Sequence, residues 1–270
     1  MRLKPLATVA AVFAIMLPTV SYAHRAWLLP SATVLSGDSL SVTIDAAVSN
    51  DLFYFEHRPM RLDQLAITAP DGSSVAPENT STGKFRSTFD LTLTKPGTYR
   101  VALTGDGAFA RYKLNGQMKR LRGSVGEITK KIPADAAEVE ITQSQRRIET
   151  FITIGKPSDT LTKLTGKGLE LLPVTHPNDV VAGNETAFKF MLDGKPAANV
   201  KVALIRGGSR YRNSLEELNI ATDREGKVVF KPTVPGMYWI SASVQDDKTD
   251  IPNGKSRRAT YSATFEVLPE

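Results

Sequence analysis

Short stretches of alternating apolar and polar residues, each closed by a turn signal, constrain this chain most, because that pattern suits strands with one buried face. In 39–47, Leu40, Val42 and Ile44 share a face. The segment 65–68 runs into Pro70-Asp-Gly-Ser, where proline fixes φ and glycine accepts a positive value. In 85–93, Phe89, Leu91 and Leu93 alternate, and the turn Lys95-Pro-Gly-Thr delivers Tyr99, Val101 and Leu103. Asn115-Gly116, inside 112–118, is the strongest hairpin signal, since both residues tolerate the positive φ of a tight turn. Residues 134–147 are ambiguous: Ala134-Asp-Ala-Ala-Glu can open a helical turn, whereas Val139, Ile141 and the run 148–154 look extended, and the extended reading is preferred.

The second half repeats this grammar, with strands expected at 169–174, 186–192, 200–205, 218–222, 228–231, 237–244 and 261–268. Asp193-Gly-Lys-Pro, Asp223-Arg-Glu-Gly and Val234-Pro-Gly supply turns between them. Seven short strands in about 100 residues is the count of an immunoglobulin-like sandwich. Between the halves, 156–168 is rich in Pro, Gly, Ser, Thr and Lys and poor in large apolar residues, as a linker is. The expectation is an all-β chain of two immunoglobulin-like β-sandwich domains in tandem, 24–165 and 166–270.

Residues 1–23 read as a secretory signal: Arg2 and Lys4, then an apolar run over 6–20, then Ser21-Tyr22-Ala23 as a small-residue cleavage site. The run is shorter than the roughly 20 residues of a membrane span and is broken by Pro18. Losing Arg2 and Lys4 and no acidic residue takes the formal charge from +6 to +4. With no cysteine after the apolar run to take a lipid, the expected compartment is the bacterial periplasm, and no segment after the signal is expected to span a membrane. The absence of cysteine also excludes disulfides and thiolate metal sites, so stability rests on buried apolar surface. With 41% hydrophobic and 23% charged residues, the chain has the composition of a folded protein.

Only three histidines are present, His24, His57 and His176. Cleavage after Ala23 gives His24 a free α-amine beside its imidazole, and the two together chelate one ion. Nitrogen donors suit Ni, Co or Cu better than calcium or magnesium. An α-amine titrates near pH 8, so such binding weakens as pH falls. His57 lies in Asp51-Leu-Phe-Tyr-Phe-Glu-His-Arg-Pro, where Glu56 and Asp51 are either oxygen ligands or partners that orient the ring. His176 sits in Val174-Thr-His-Pro-Asn-Asp, just after the first strand of the second half. The bland readings are a residue that merely follows the cleavage site, a half-exposed histidine beside core aromatics, and a turn residue. The functional reading is that the three converge on one metal ion.

Other chemistry is thin. There is no Cys nucleophile, no His-Glu-x-x-His helix, no phosphate-cradling Gly-x-x-x-x-Gly-Lys loop and no Gly-x-Ser-x-Gly elbow. No enzymatic activity is expected. Glu216-Glu217 and Asp246-Asp247 are adjacent, so on a strand each pair points to opposite faces. The basic run Arg111, Lys113, Lys119, Arg120, Arg122, Lys130 and Lys131 is either a solvated hairpin face or a surface for an anionic partner such as lipopolysaccharide. Export and the lack of a reader motif argue against nucleic acid.

The block His24-Arg-Ala-Trp-Leu-Leu-Pro-Ser, followed by Val34-Leu-Ser-Gly-Asp, resembles the mature start of an exported bacterial family of uncharacterised domains. The likeness extends through Ala69-Pro-Asp-Gly, Pro96-Gly-Thr-Tyr, Leu171-Leu-Pro-Val-Thr-His-Pro, Asp193-Gly-Lys-Pro and Pro235-Gly-Met-Tyr-Trp, and so covers most of the chain. That family is commonly labelled a periplasmic component of cobalt or nickel uptake. The resemblance implies His24 as a metal ligand, with His57 and His176 as further ones, and inner- or outer-membrane transporter components as partners. Arg25 departs from the pattern, since an acidic or amide residue is frequent there, and its charge would repel a bound cation. The expected function is therefore periplasmic handling of Ni, Co or Cu. A metal-independent envelope scaffold and a copper-dependent oxidative enzyme with a histidine brace are the alternatives.

Overall fold

The computed structural model describes residues 24–270; the expected signal segment, 1–23, lies outside them. The chain opens with β1 (Arg25–Pro30), β2 (Val34–Leu35), β3 (Leu40–Ser49), β4 (Arg58–Pro59), β5 (Leu65–Thr68), β6 (Ser74–Val75), β7 (Glu78–Thr82) and β8 (Ser87–Leu93). β9 (Gly97–Leu114) and β10 (Gln117–Gly123) form the hairpin expected at Asn115-Gly116, whose φ values of 49° and 76° are those such a turn requires. A short helix, α1 (Val125–Lys131), precedes the long strand β11 (Ala137–Ile154). The helix was not expected, although its capping box is legible: the Ser124 side chain accepts from the Glu127 N–H, and the Glu127 carboxylate accepts from the Ser124 N–H. Residues 133–136 make a single turn, closed by the Ala136 N–H on the Pro133 carbonyl, and the chain is extended from Ala137 as preferred.

The second half contributes β12 (Leu169–Pro173), β13 (Thr186–Leu192), β14 (Lys195–Pro196), β15 (Lys201–Arg206), β16 (Leu218–Ala221), β17 (Lys227–Phe230), β18 (Gly236–Asp246) and β19 (Ser256–Val267). Every strand expected there is present. At the turn before β17, Gly226 has φ 73°, and a Cβ on it would lie 2.4 Å from the Phe190 carbonyl oxygen. No other residue fits.

The strands form two immunoglobulin-like sandwiches that share their middle layer. One sheet runs β1-β3-β8-β7 with β4 beside β3, and another runs β12-β13-β14 with β17 beside β13. Between them lies a ten-stranded sheet in the order β16-β15-β18-β19-β11-β9-β5-β6, with β10 on β9 and β2 on β11. Its two halves join where β11 pairs in parallel with β19, from Thr142↔Ser256 to Thr150↔Thr264. The connection between β11 and β12, where the sequence put the linker, therefore leaves a strand already hydrogen-bonded to the second half.

Side chains alternate across β11, and that decides where each core sits. Ile148, Ile152 and Ile154 enter the first core with Val42, Ile44, Phe89, Leu91, Tyr99 and Val101. Phe151, on the other face, enters the second core with Phe188, Phe190, Tyr261 and Phe265. The sandwiches thus lie on opposite faces of one sheet. A third cluster of Trp27, Ala47, Leu52, Ile205 and Trp239 packs the back of β1 and β3 against β15 and β18. The Ala26 carbonyl accepts from the Trp239 indole at 3.0 Å and from the Ser262 hydroxyl at 3.2 Å, fixing β1 across the middle sheet.

Candidate functional site

β1 and β4 flank the same end of β3, with Arg25 opposite Ser49 and Arg58 opposite Val48. The residues just before these two strands, His24 and His57, leave the sheet together. Their rings meet with centroids 3.9 Å apart and planes tilted by 30°. Both side chains are exposed, and neither ring nitrogen has a hydrogen-bond partner among the described residues.

His57 is held by its loop. Glu56 Oε1 accepts from the Asn50 and Asp51 amides at 2.8 and 2.7 Å, and its Oε2 pairs with Arg210 at 3.3 Å. Arg210 also lies 3.7 Å from Asp51 and 4.1 Å over the Tyr54 ring. Phe53, at φ 66°, packs against Gly207, where a Cβ would come within 2.8 Å of its ring. Trp27 anchors the base: its indole donates to Ser49 Oγ at 2.9 Å, and its ring meets Phe53 and Phe55. Glu56 and Asp51 thus brace the loop through backbone amides and Arg210. They orient; they do not face the ring pair as ligands.

His176 is elsewhere. Its Nδ1 accepts from the Asn178 N–H at 3.1 Å and its Nε2 lies 3.0 Å from Thr98 Oγ1. Thr98 Oγ1 is 2.8 Å from Thr153 Oγ1, which donates to Asn178 Oδ1, and the Asn178 amide donates to the carbonyls of Thr33 and Phe151. This closed circuit ties the two sandwiches together near the C-terminal end of β11. It is about ten residues along the strand from Ser144 beside His24, or roughly 30 Å at the usual strand rise. The expected meeting of three histidines reduces to a pair, and among the described residues no group of three or more His, Cys, Asp or Glu side chains is placed to hold a metal.

Burial pushes the His176 pKa below its ordinary 6.5, against the opposing pull of Asp179, the Ser158 backbone and Asp159. A second proton on Nδ1 would also face the Asn178 N–H. The unfolded chain therefore binds this proton more readily than the folded one. The resulting stability is fully present above about pH 6.5 and is lost as pH falls towards the lower folded-state pKa. Urea unfolding at about pH 7.5 and pH 5 is expected to show a gap between the parent and His176→Gln that narrows at the acid end. A gap that stays constant would remove the titration.

His24 also lines a cleft of about 720 Å³. Its floor is the stretch of the middle sheet that the first sandwich leaves uncovered: Gly105 and Gly107 of β9, Ser144 and Arg146 of β11, and Arg258 and Thr260 of β19. Because Ser144 and Arg146 share the face of Ile148, the strand switches from polar to apolar where β1 begins to cover it. The Arg146 guanidinium lies over Gly105, 3.3 Å from where a Cβ would be. Burial and the charge of Arg58 depress the Arg146 pKa.

The structure sorts the basic run expected on the hairpin. Arg111, Lys113 and Lys131 pair with Glu140, Glu138 and Glu127, whereas Arg122 lies over the Phe109 ring and lines the cleft. Arg25 turns away from His24: it donates to the Asn50 carbonyl at 2.8 Å and lies 3.8 Å from Glu217. The repulsion expected from its charge is thereby offset. Arg146 and Arg258 were not foreseen as site residues; the polar run Thr142, Ser144, Arg146 preceding Ile148 and Ile152 on the same strand face was the available signal.

No helix among the described residues is long and apolar enough to cross a membrane. Among solved structures, the D0-D1 domains of intimin match at 15% identity over 89% of this chain and 97% of that one, with a TM-score of 0.22. An Escherichia coli alpha-2-macroglobulin matches at 11% identity over 91% and 31% of the two chains, with a TM-score of 0.21. A DUF4785 family protein from Legionella pneumophila matches at 8% over 89% and 55%, with a TM-score of 0.23. Scores this low add nothing to the fold described above. No curated protein matches the chain. A family model does match, over residues 21–246, and the chain belongs to that family, the domain of unknown function DUF4198.

Proposed function

We propose that this is a periplasmic protein that binds one transition-metal ion, nickel, cobalt or copper, through His24 and His57 and passes it to a membrane transporter component. The observation that carries the reading is the contact of the only two exposed histidines, 3.9 Å between ring centroids, with all four ring nitrogens free of other partners among the described residues. An ion about 2 Å from one nitrogen of each ring is within reach of both by side-chain rotation. With no third His or acidic side chain grouped there among the described residues, the next donor is the α-amine of His24 after cleavage behind Ala23. Three nitrogens from two residues suit nickel, cobalt and copper. The same trio is what a copper brace uses, so an oxidative copper enzyme is the second reading; oxidase activity of the copper-loaded protein separates the two.

The test is native mass spectrometry of the protein beginning at His24, titrated with Ni(II), Co(II) and Cu(II). One ion per chain is expected, lost in His24→Ala and strongly weakened when one extra residue precedes His24. Equal retention with the extra residue would remove the amine as a ligand. No retention of any of the three ions would leave the metal-independent envelope module.

A further inference from the structure

The clefts around the middle sheet differ in how their cations are neutralised. In one of about 610 Å³ at the seam of the sandwiches, whose edge Arg146 shares, Arg147 pairs with Glu149 and Glu170, and Arg100 lies 3.9 Å from Glu149. In the cleft lined by His24, three guanidiniums, Arg122, Arg146 and Arg258, have no carboxylate within 4.0 Å among the described residues. Arg258 makes one hydrogen bond, to Ser243 Oγ at 3.2 Å. Asp106 is the single acidic side chain on the lining. Arg122, Arg146 and Arg258 therefore put positive charge on the walls of the same cleft that His24 lines. A bare divalent cation is a poor occupant of that field. A metal ion wrapped in carboxylates is a good one: guanidinium forks match carboxylates in two-point hydrogen bonds, and the chelator's oxygens fill coordination positions the histidines leave open.

We infer that the cleft takes the metal as an anionic complex with a small polycarboxylate, whose free carboxylates are gripped by Arg146 and Arg258, with Arg122 at the rim, while His24 and His57 reach the metal. This rests on the metal reading above. Ser144 and Thr260, on the floor between the two arginines, add hydroxyl donors for the same ligand.

The test uses the protein beginning at His24, examined by native mass spectrometry and by titration calorimetry with Ni(II), with citrate, and with Ni(II) plus citrate. The expected result is a ternary species of one protein, one nickel and one citrate. Arg146→Gln combined with Arg258→Gln should raise the concentration needed for half-formation of that species at least tenfold, while binding of Ni(II) alone holds or strengthens because two repelling charges are gone. Circular dichroism checks that the double variant folds, and replacing citrate with a neutral diamine chelator in the parent protein, where no ternary species is expected, tests the same point without a substitution. If Ni(II) alone binds but citrate only strips it, the inference fails while the metal reading stands. If citrate binds alone and nickel never does, both fail, leaving a plain anion site. Equal ternary formation by parent and double variant, or with the neutral chelator, overturns the role of the arginines.

Discussion

Glu149→Ala is expected to lower the unfolding free energy by about 3–5 kcal/mol, the usual cost of removing one partner from a buried ion pair. Glu149 is 2% exposed and sits where β9, β11 and β19 run side by side. Its Oε1 takes Arg147 at 3.1 Å and lies 3.9 Å from Arg100, and its Oε2 accepts the Tyr261 hydroxyl at 2.7 Å. Arg147 reaches on to Glu170, which also accepts the Thr165 and Gly166 amides that shape the turn before β12. Burial, with the neighbouring carboxylate, pushes the Tyr261 hydroxyl well above its ordinary pKa, so it stays protonated and donates. Taking Glu149 away leaves Arg147 with Glu170 as its remaining carboxylate and a buried hydroxyl without its acceptor. Tyr261→Phe, which removes only the hydrogen bond, should cost about 1 kcal/mol. Urea denaturation measures both, and a Glu149→Ala change below about 1 kcal/mol would mean that Arg147 relaxes into the adjoining cleft instead.

His57→Ala is expected to weaken metal binding strongly, second only to His24→Ala, in which the ion is lost. Even groups that only orient a metal ligand change affinity about 10- to 100-fold, so loss of a ligand should weaken nickel or copper binding by at least that much. Because His57 is exposed, stability should move by no more than about 0.5 kcal/mol, and an affinity loss cannot be assigned to unfolding. The loop supplies a graded control. Arg210→Ala frees Glu56 and Asp51 and should reduce affinity less than His57→Ala does, since the ring remains and only its placement loosens. Isothermal titration of the three proteins gives the order. Unchanged affinity in His57→Ala together with loss in His24→Ala would place the ion on the terminal residue alone.

Much of the fold is legible locally. Alternation in 39–47, 85–93 and the strands of the second half, and the Asn115-Gly116 turn, involve residues within a few positions of each other, so the sequence reads them directly. β1 was not legible, because Trp27 faces the third cluster while Leu28 faces the first core. A strand buried on both sides has no polar face, and an apolar run of this length does not separate strand from helix.

The sequence by itself determined the class: strands of period two, two sandwiches, no thiol chemistry, and three histidines as the available nitrogen ligands. Tertiary structure decided which histidines meet. His24 and His57 are 33 positions apart, and their contact depends on β1 and β4 both pairing with the end of β3, a long-range register that no local pattern encodes. The same holds for the arginine floor. Arg146 and Arg258 lie 112 positions apart and share a face only because β11 and β19 run in parallel, joining two sandwiches into one sheet and leaving that stretch uncovered beside His24.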